Sequence, residues 1–460
     1  MQRSYLDSSA PIAALATPPG PSALAVLRAA GPGSIELAAS CFSRPRALAS
    51  ARHRELVHGR LLDPATGEEI DEILAAVFRA PRGPIGEDCV ELSLHGSPAV
   101  ARRALAALEA AGFAPALPGE FSFRAFLNGK LDLVEAEALR ELVDAGSEGA
   151  RAEALRRLGG GLSARLAALR SGLVGLLAEL EARLDYDEEE GAPAGLEARS
   201  LGALRAEVEA LAASYAAGRL YESGARVVVA GRPNAGKSSL FNLLLREERS
   251  IVAGEPGTTR DWIEAGIEVE GLPIRLVDTA GLREAEGEAE AAGVARSRDL
   301  AARAEAVIYV VDSVAGLAPE DEAFLAARPD AIRAWNKVDD PRGGPAPEPF
   351  LPLSAATGAG LPALAAALAE ALAPRFGRAA VPGGRAGEEA LRVASSRQKL
   401  LLDRAAAALA AAERGLGRGA ALDALALDLR EAADALGEIT GEVASEEVLE
   451  AVFSRFCLGK

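Results

Sequence analysis

The residues with the clearest chemistry lie in Gly231-Arg232-Pro233-Asn234-Ala235-Gly236-Lys237-Ser238-Ser239. The glycines let backbone N–H groups close on phosphate oxygens, Lys237 reaches the β- and γ-phosphates, and Ser238 offers magnesium a hydroxyl. Such a loop works only between a strand and a helix. The β-branched run Arg226–Ala230 ahead of it predicts a buried parallel strand. Leu240–Leu245 behind it predicts a helix whose N-terminus adds partial positive charge.

Four further segments follow in the order a GTPase requires. Gly257-Thr258-Thr259-Arg260-Asp261 supplies a threonine, Thr259, whose hydroxyl completes magnesium coordination when a γ-phosphate is present. Asp278-Thr279-Ala280-Gly281 follows the strand-like Ile274–Val277; its aspartate belongs near the magnesium and its glycine N–H near the γ-phosphate. Asn336-Lys337-Val338-Asp339 reads guanine, because Asp339 can accept from N1–H and from the exocyclic amine that adenine lacks. Ser354-Ala355-Ala356 then backs the base. Leu282 stands where many small GTPases carry a water-orienting glutamine, so another group must position the water; Glu284, Glu286, Glu288 and Glu290 are the candidates in reach. Arg260 and Arg283 lie close by, with surface charge as the alternative to an arginine finger. Asn234, a short amide inside the phosphate loop, can help ligate a monovalent cation in place of an arginine's charge.

The elements around this constellation fall into segments. A length of 460 residues predicts about two to four domains. Residues 1–128 read as mixed α/β: short strands flank the turn Pro18-Pro19-Gly20-Pro21, further strands are expected at Arg54–Leu62, Ile70–Phe78 and Asp88–His95, and a helix from Ala99 is ended by Gly112. Residues 129–222 carry apolar side chains at helical spacing, among them Leu131, Val134, Ala138, Leu155, Leu158, Leu162 and Leu166. Residues 223–378 alternate strands and helices, predicting a Ras-like, mostly parallel sheet. Asp340–Phe350 reads as a surface loop within it and Gly377–Gly387 as a linker, after which Glu388–Lys460 returns to helix, residues 379–460 forming the second part of the helical domain. The expected architecture is a multidomain α/β chain, with an N-terminal α+β domain and a P-loop GTPase domain inserted into a helical domain built from both flanks.

A net charge of −17 opposes nucleic-acid binding by bulk electrostatics, so a basic footprint must be local or come from a partner. Arg151–Arg170 carries five arginines, read as a solvated helix face or a contact to tRNA phosphates. The acidic run Asp185–Gly191 reads as a solvated turn. Cys41, Cys89 and Cys457 are too scattered for a disulfide framework or a zinc site. Prolines interrupt the apolar residues near the N-terminus and no run of 18 uninterrupted apolar residues suggests a membrane span, so the expected location is cytoplasmic.

Over essentially its full length the chain resembles the MnmE (TrmE) family of tRNA modification GTPases. The carrying motifs are Ala16-Thr17-Pro18-Pro19-Gly20 with Leu27-Arg28, Gly86-Glu87-Asp88 with Glu91-Leu92 and His95-Gly96, and Pro118–Ser122 with Arg124–Asn128. Gly129–Leu133, the G-motifs and the terminal Phe456-Cys457-Leu458-Gly459-Lys460 continue the series. The resemblance implies a homodimer whose N-terminal domains hold a tetrahydrofolate derivative (5-formyl or methylene) as one-carbon donor, through Arg28, Glu91, Lys130 and Lys460. It implies that Cys457 lies near that folate as a catalytic thiol, a buried structural thiol being the alternative. It further implies G domains that pair on GTP, with potassium bound by Asn234, Thr258 and the backbone from Ala253 to Glu255 in the nucleotide-facing loop Ala253-Gly254-Glu255-Pro256-Gly257. Glu290 matches the family's water-orienting glutamate. A flavoprotein partner, MnmG, would join this chain in adding an aminomethyl-type or carboxymethylaminomethyl group to C5 of the wobble uridine of certain tRNAs. The alternative is a ribosome-assembly or regulatory GTPase switch without modification chemistry, which would be expected to carry a basic RNA-binding appendage.

Overall fold

A computed structural model describes residues 5, 10–185, 198–247, 249–251, 264–278, 300, 302–377 and 391–459. The chain forms two compact units, Met1–Arg140 with Gly437–Lys460, and Glu141–Leu436.

The first unit is built on a six-stranded sheet. Its strands are β1 (Ile12–Leu15), β2 (Leu24–Ala30), β3 (Glu55–Leu62), β4 (Glu69–Phe78), β5 (Cys89–His95) and β6 (Ala114–Pro115), in the order β3-β4-β5-β2-β1-β6. Every pairing is antiparallel except β1 with β6. The expected strands and helix all form; the helix runs Pro98–Ala110 and the chain turns at Gly112 with φ +113°. Alternation along β2 and β5 sends Leu27, Ala29, Val90, Leu92 and Leu94 towards a core shared with Ala104 and Leu108 of that helix. The helix Glu120–Leu127 packs Phe123 and Phe126 against Phe453 of the helix Glu446–Phe453, so the end of the chain belongs to this unit.

The second unit contains a seven-stranded sheet of β7 (Ala225–Ala230), β8 (Arg249–Ile251), β9 (Glu264–Val269), β10 (Leu272–Asp278), β11 (Ala306–Asp312), β12 (Ile332–Asn336) and β13 (Leu351–Pro352). The order is β13-β12-β11-β7-β10-β9-β8, parallel from β13 to β10 and antiparallel beyond. β7 is covered on both faces: Val227 and Val229 enter one core, Val228 and Ala230 the other. A continuous β-branched run therefore reads as a central parallel strand.

Helices on both sequence flanks of this sheet complete the unit. In the helix Gly161–Asp185, Leu162, Leu166, Leu169, Leu173, Leu177 and Leu180 form a buried stripe. Among the described residues, Gly161–Ala182 is long and apolar enough to cross a membrane by length and composition alone. Six of its leucines are buried, so one face of the helix packs inside the protein. The arginines from Arg151 to Arg165 are not a free basic face. Arg157 is 3% exposed and pairs with Glu141 and Glu153, while Arg151, Arg156 and Arg165 pair with Glu148, Glu153 and Glu207. The reading of Arg157 as solvated fails because its guanidinium neutralises two buried carboxylates. The acidic turn beyond Asp185 and the linker after Gly377 lie outside the described residues.

Candidate nucleotide site and N-terminal pocket

The C-terminal ends of the parallel strands bring the GTPase motifs to one edge. The phosphate loop follows β7, Asp278 ends β10, Asp312 ends β11, Asn336 ends β12 and Ser354 follows β13. Ligands bind at this edge in open α/β sheets because the strand-to-helix loops converge there.

The loop's shape depends on residues with positive φ. Gly236 has φ +97°, and a Cβ there would stand 2.1 Å from Asn336 Nδ2. Asn234, exposed at the loop's crest, takes φ +63°, which asparagine tolerates better than most side chains. The Arg232 carbonyl closes the loop, accepting from Ala235 N–H at 3.3 Å and from the Lys237 ammonium at 2.8 Å. Ser238 and Ser239 stand exposed in the first turn of the helix Lys237–Glu247.

Asn336 is the knot between phosphate and guanine loops. Its Nδ2 donates to Ala235 O at 2.8 Å, and its Oδ1 accepts from Ala355 N–H at 2.9 Å, with only 1% of the residue exposed. Ser354 is buried and its hydroxyl accepts from Thr357 N–H at 3.1 Å, closing the turn Ala355–Thr357. Val338 and Asp339 remain exposed, with Asp339 open to a base. Lys337 has φ +67°, and its ammonium donates to Asp312 at 2.7 Å. Burial pushes the Asp312 carboxyl up, but Lys337 and the Val314 N–H outweigh it and hold the group below its ordinary value. Asp340–Phe350 is a loop as expected, though it is pinned: Trp335 Nε1 donates to Gly344 O at 2.8 Å.

Sequence reasoning missed a cluster behind the phosphate loop. Asp321, fully buried in the first turn of the helix Pro319–Ala327, accepts from Arg232 Nε at 2.9 Å, from the Tyr309 hydroxyl at 2.9 Å and from Ala318 N–H at 2.9 Å. Burial, and then the Asp321 hydrogen bond, push the Tyr309 phenol above its ordinary value. The legible signal was Pro319-Glu320-Asp321, an acidic helix start.

Ala253, Gly254, Glu255, Pro256, Gly257, Thr258, Thr259, Thr279, Ala280, Gly281 and Glu290 lie outside the described residues, as does Lys460.

In the first unit, Arg28 on β2 and Glu91 on β5 are register partners. Arg28 Nε and Nη2 donate to Glu91 Oε1 at 2.9 and 2.6 Å, and Nη1 reaches Gly459 O at 3.3 Å. The guanidinium also lies 5.6 Å from the Phe121 ring centroid. The tail is seated by close backbone approach: a Cβ on Gly459 would meet Leu15 O at 2.3 Å, and one on Gly119 would meet Phe453 O at 2.4 Å. Cys457 anchors through its carbonyl to Gly119 N–H at 3.3 Å while its side chain is exposed, so the buried-thiol alternative is wrong. Its neighbours Phe453 and Phe456 take the core positions instead. Burial pushes the Cys89 thiol up to about 12, and burial also raises that of Cys41. Lys130 is exposed, and among the described residues no contact joins it to Arg28 or Glu91. Arg124 was named only as part of a motif. It is fully buried on Glu120 (2.9 Å), Glu87 (3.2 Å) and Ala10 O (2.8 Å), tying the loop at Gly86-Glu87 to its helix.

Sheet order, phosphate loop and guanine motif together define a P-loop GTPase. The family profile described as the MnmE helical domain matches residues 133–457, and that described as the GTP-binding protein TrmE N-terminus matches residues 11–130. A tRNA modification GTPase MnmE of Thermus thermophilus is 45% identical over 454 residues, covering 98% of this chain and 99% of the relative. Its counterparts in Synechococcus sp. CC9311 and Moorella thermoacetica are 42% and 40% identical, each aligned over at least 98% of this chain and 99% of the relative. The G domain of the T. maritima FeoB iron transporter aligns at 30% identity over 32% of this chain and 98% of that one, but its TM-score of 0.25 adds no argument. The chain belongs to the MnmE family of tRNA modification GTPases, and it is a GTP hydrolase.

Proposed function

We propose that this chain is a potassium-activated GTPase that modifies C5 of the wobble uridine in certain tRNAs. It would work in the cytoplasm as a homodimer with a flavoprotein partner of the MnmG type, taking its one-carbon unit from a tetrahydrofolate derivative. The observation that carries the reading is the meeting of Arg28, Glu91 and the Gly459 carbonyl in the first unit. That set fits a folate chemically. Glu91 would accept from a pterin's donor edge with its ion-pair partner Arg28 beside the same end of the ligand, leaving Lys130 and the Lys460 that follows Gly459 to suit a glutamyl carboxylate. Cys457, exposed on the same tail, is accessible to chemistry.

In the second unit Lys237 binds the phosphates, Ser238 and Thr259 hold magnesium, and Asp339 selects guanine. Asn234, exposed and left-handed at the crest of the phosphate loop, suits the role of a potassium ligand together with Thr258 and the backbone from Ala253 to Glu255. Glu290 orients the attacking water. Glu290→Ala is expected to lower single-turnover GTP hydrolysis by roughly two orders of magnitude while leaving GTP affinity intact. Unchanged turnover removes Glu290 from the role.

The direct test is mass spectrometry of wobble nucleosides in bulk tRNA from a strain lacking this chain, with rescue by wild type and by Cys457→Ser. Loss of aminomethyl-type uridines, restored by wild type, supports the reading. Failure of the Cys457 variant places that thiol in the reaction. Unaltered nucleosides in the deletion count against a modification role.

A further inference from the structure

The segment from Asp312 to Asp321 carries no nucleotide motif, yet it braces both halves of the site. On the guanine side Asp312 holds the Lys337 ammonium, and the Ser313 hydroxyl donates to Lys337 O at 2.9 Å. On the phosphate side Arg232 Nε meets Asp321, and Arg232 Nη2 donates to Gly316 O. These contacts divide cleanly between base and phosphate.

We propose that Asp321 is a positioning residue for the phosphates of GTP, fixing Arg232 and, through the Arg232 carbonyl, the ammonium of Lys237. The chain of contacts is short. Asp321 is 0% exposed and accepts from Arg232, Tyr309 and Ala318 N–H, so it is fully paired and its place is fixed by the helix start. Arg232 is thereby held at its side chain, and its backbone has little freedom: a Cβ on the preceding Gly231 would stand 2.2 Å from Val310 O. The Arg232 carbonyl then carries Lys237 Nζ at 2.8 Å. Lys237 is the group that touches the phosphates, and Asp321 acts through it. The same pairing commits the arginine of the loop to a buried carboxylate, so its charge does not compete with Lys237 for phosphate oxygens.

In Asp321→Asn the amide oxygen can still take the Oδ2 place and accept from Arg232 and Ala318 N–H, but the carboxylate charge that holds the guanidinium is gone, so the brace weakens while the side-chain volume is kept. Arg232→Gln opens it from the solvent side and leaves Asp321 its Tyr309 and Ala318 donors. Arg232→Lys restores a charged partner. The readouts are KM for GTP in steady-state hydrolysis and the inhibition constant of guanosine, which has the base but no phosphate. Each is taken at a temperature where far-ultraviolet circular dichroism shows the variant folded.

Asp321→Asn and Arg232→Gln are expected to raise KM for GTP about tenfold, the scale of one lost charge-assisted interaction, with the guanosine constant within about twofold of wild type. Arg232→Lys is expected to recover most of that loss. A KM within twofold of wild type in both brace-opening variants overturns the proposal. So does an equal weakening of GTP and guanosine, which marks general loosening of the domain. The inference rests on GTP binding alone and stands apart from the folate and tRNA chemistry.

Discussion

The phosphate loop of the second unit and the Arg28–Glu91 pair of the first, which we propose as a folate contact, are built in opposite ways. The phosphate loop is backbone: Gly231 and Gly236 at positive φ, a carbonyl that seats Lys237, and Asn336 locking the loop from behind. The Arg28 site is side chain: a guanidinium and a carboxylate facing each other across an antiparallel register, closed by a chain terminus. A backbone site has almost no tolerance for added atoms, because every contact is fixed by the path of the chain. A side-chain site tolerates neighbours and fails when one functional group is removed. The two should therefore break differently.

The largest effect is expected at Gly236. In Gly236→Val the new Cβ would sit 2.1 Å from Asn336 Nδ2 at φ +97°, so Asn336 must leave Ala235 O and Ala355 N–H together. Two buried hydrogen bonds at ~1–3 kcal/mol each set the scale. GTP affinity, read by fluorescent-nucleotide titration, is expected to weaken at least about 100-fold. A variant that binds GTP within about fivefold of wild type would show that the loop has room the geometry denies.

Arg28→Ala tests the other design. It removes the donors to Glu91 and to Gly459 O without altering the β2–β5 ladder. Binding of 5-formyltetrahydrofolate, followed by calorimetry, is expected to fall about tenfold to 100-fold on the loss of charge-assisted bonds, with GTP turnover within about twofold. Coupled loss of both activities would break the contrast between the two regions.

The contrast also explains what the sequence disclosed. Backbone-built sites leave compact signatures, because glycines and a lysine must fall at fixed offsets along one loop; Gly231 to Ser239 and Asn336 to Asp339 were legible for that reason. Strand positions were legible from alternation, as β3, β4 and β5 show. Arg28 and Glu91 lie on strands far apart in sequence, and spacing alone cannot pair them; the resemblance to a known family named them. The partners of Arg157 and Asp321 were opaque for a different reason. A charged residue on a helix reads as solvated unless its partners are known, and those partners, Glu141 and Glu153 for the one, Arg232 and Tyr309 for the other, are set by tertiary packing. The exposure of Cys457 was not legible because spacing could not show that the phenylalanines beside it, Phe453 and Phe456, take the core positions.

The smallest effect sharpens the account of the backbone site most. Tyr309 gives Asp321 one of its three donors, and its ring stacks on Phe324 with centroids 4.5 Å apart. Tyr309→Phe keeps the ring, its stacking and the Arg232–Asp321 pair, and removes one hydroxyl. The cost is one hydrogen bond to a buried charge that retains two other donors, ~1–2 kcal/mol, read as a lower midpoint in urea unfolding. Because the carboxylate is still held by Ala318 N–H and still holds Arg232, KM for GTP is expected to stay within about twofold of wild type. Stability would then fall while phosphate binding does not, whereas Asp321→Asn should weaken phosphate binding. If Tyr309→Phe instead raises KM as far as Asp321→Asn does, the whole β11 edge moves with the phosphate loop, and the loop's geometry is a property of the sheet rather than of one ion pair.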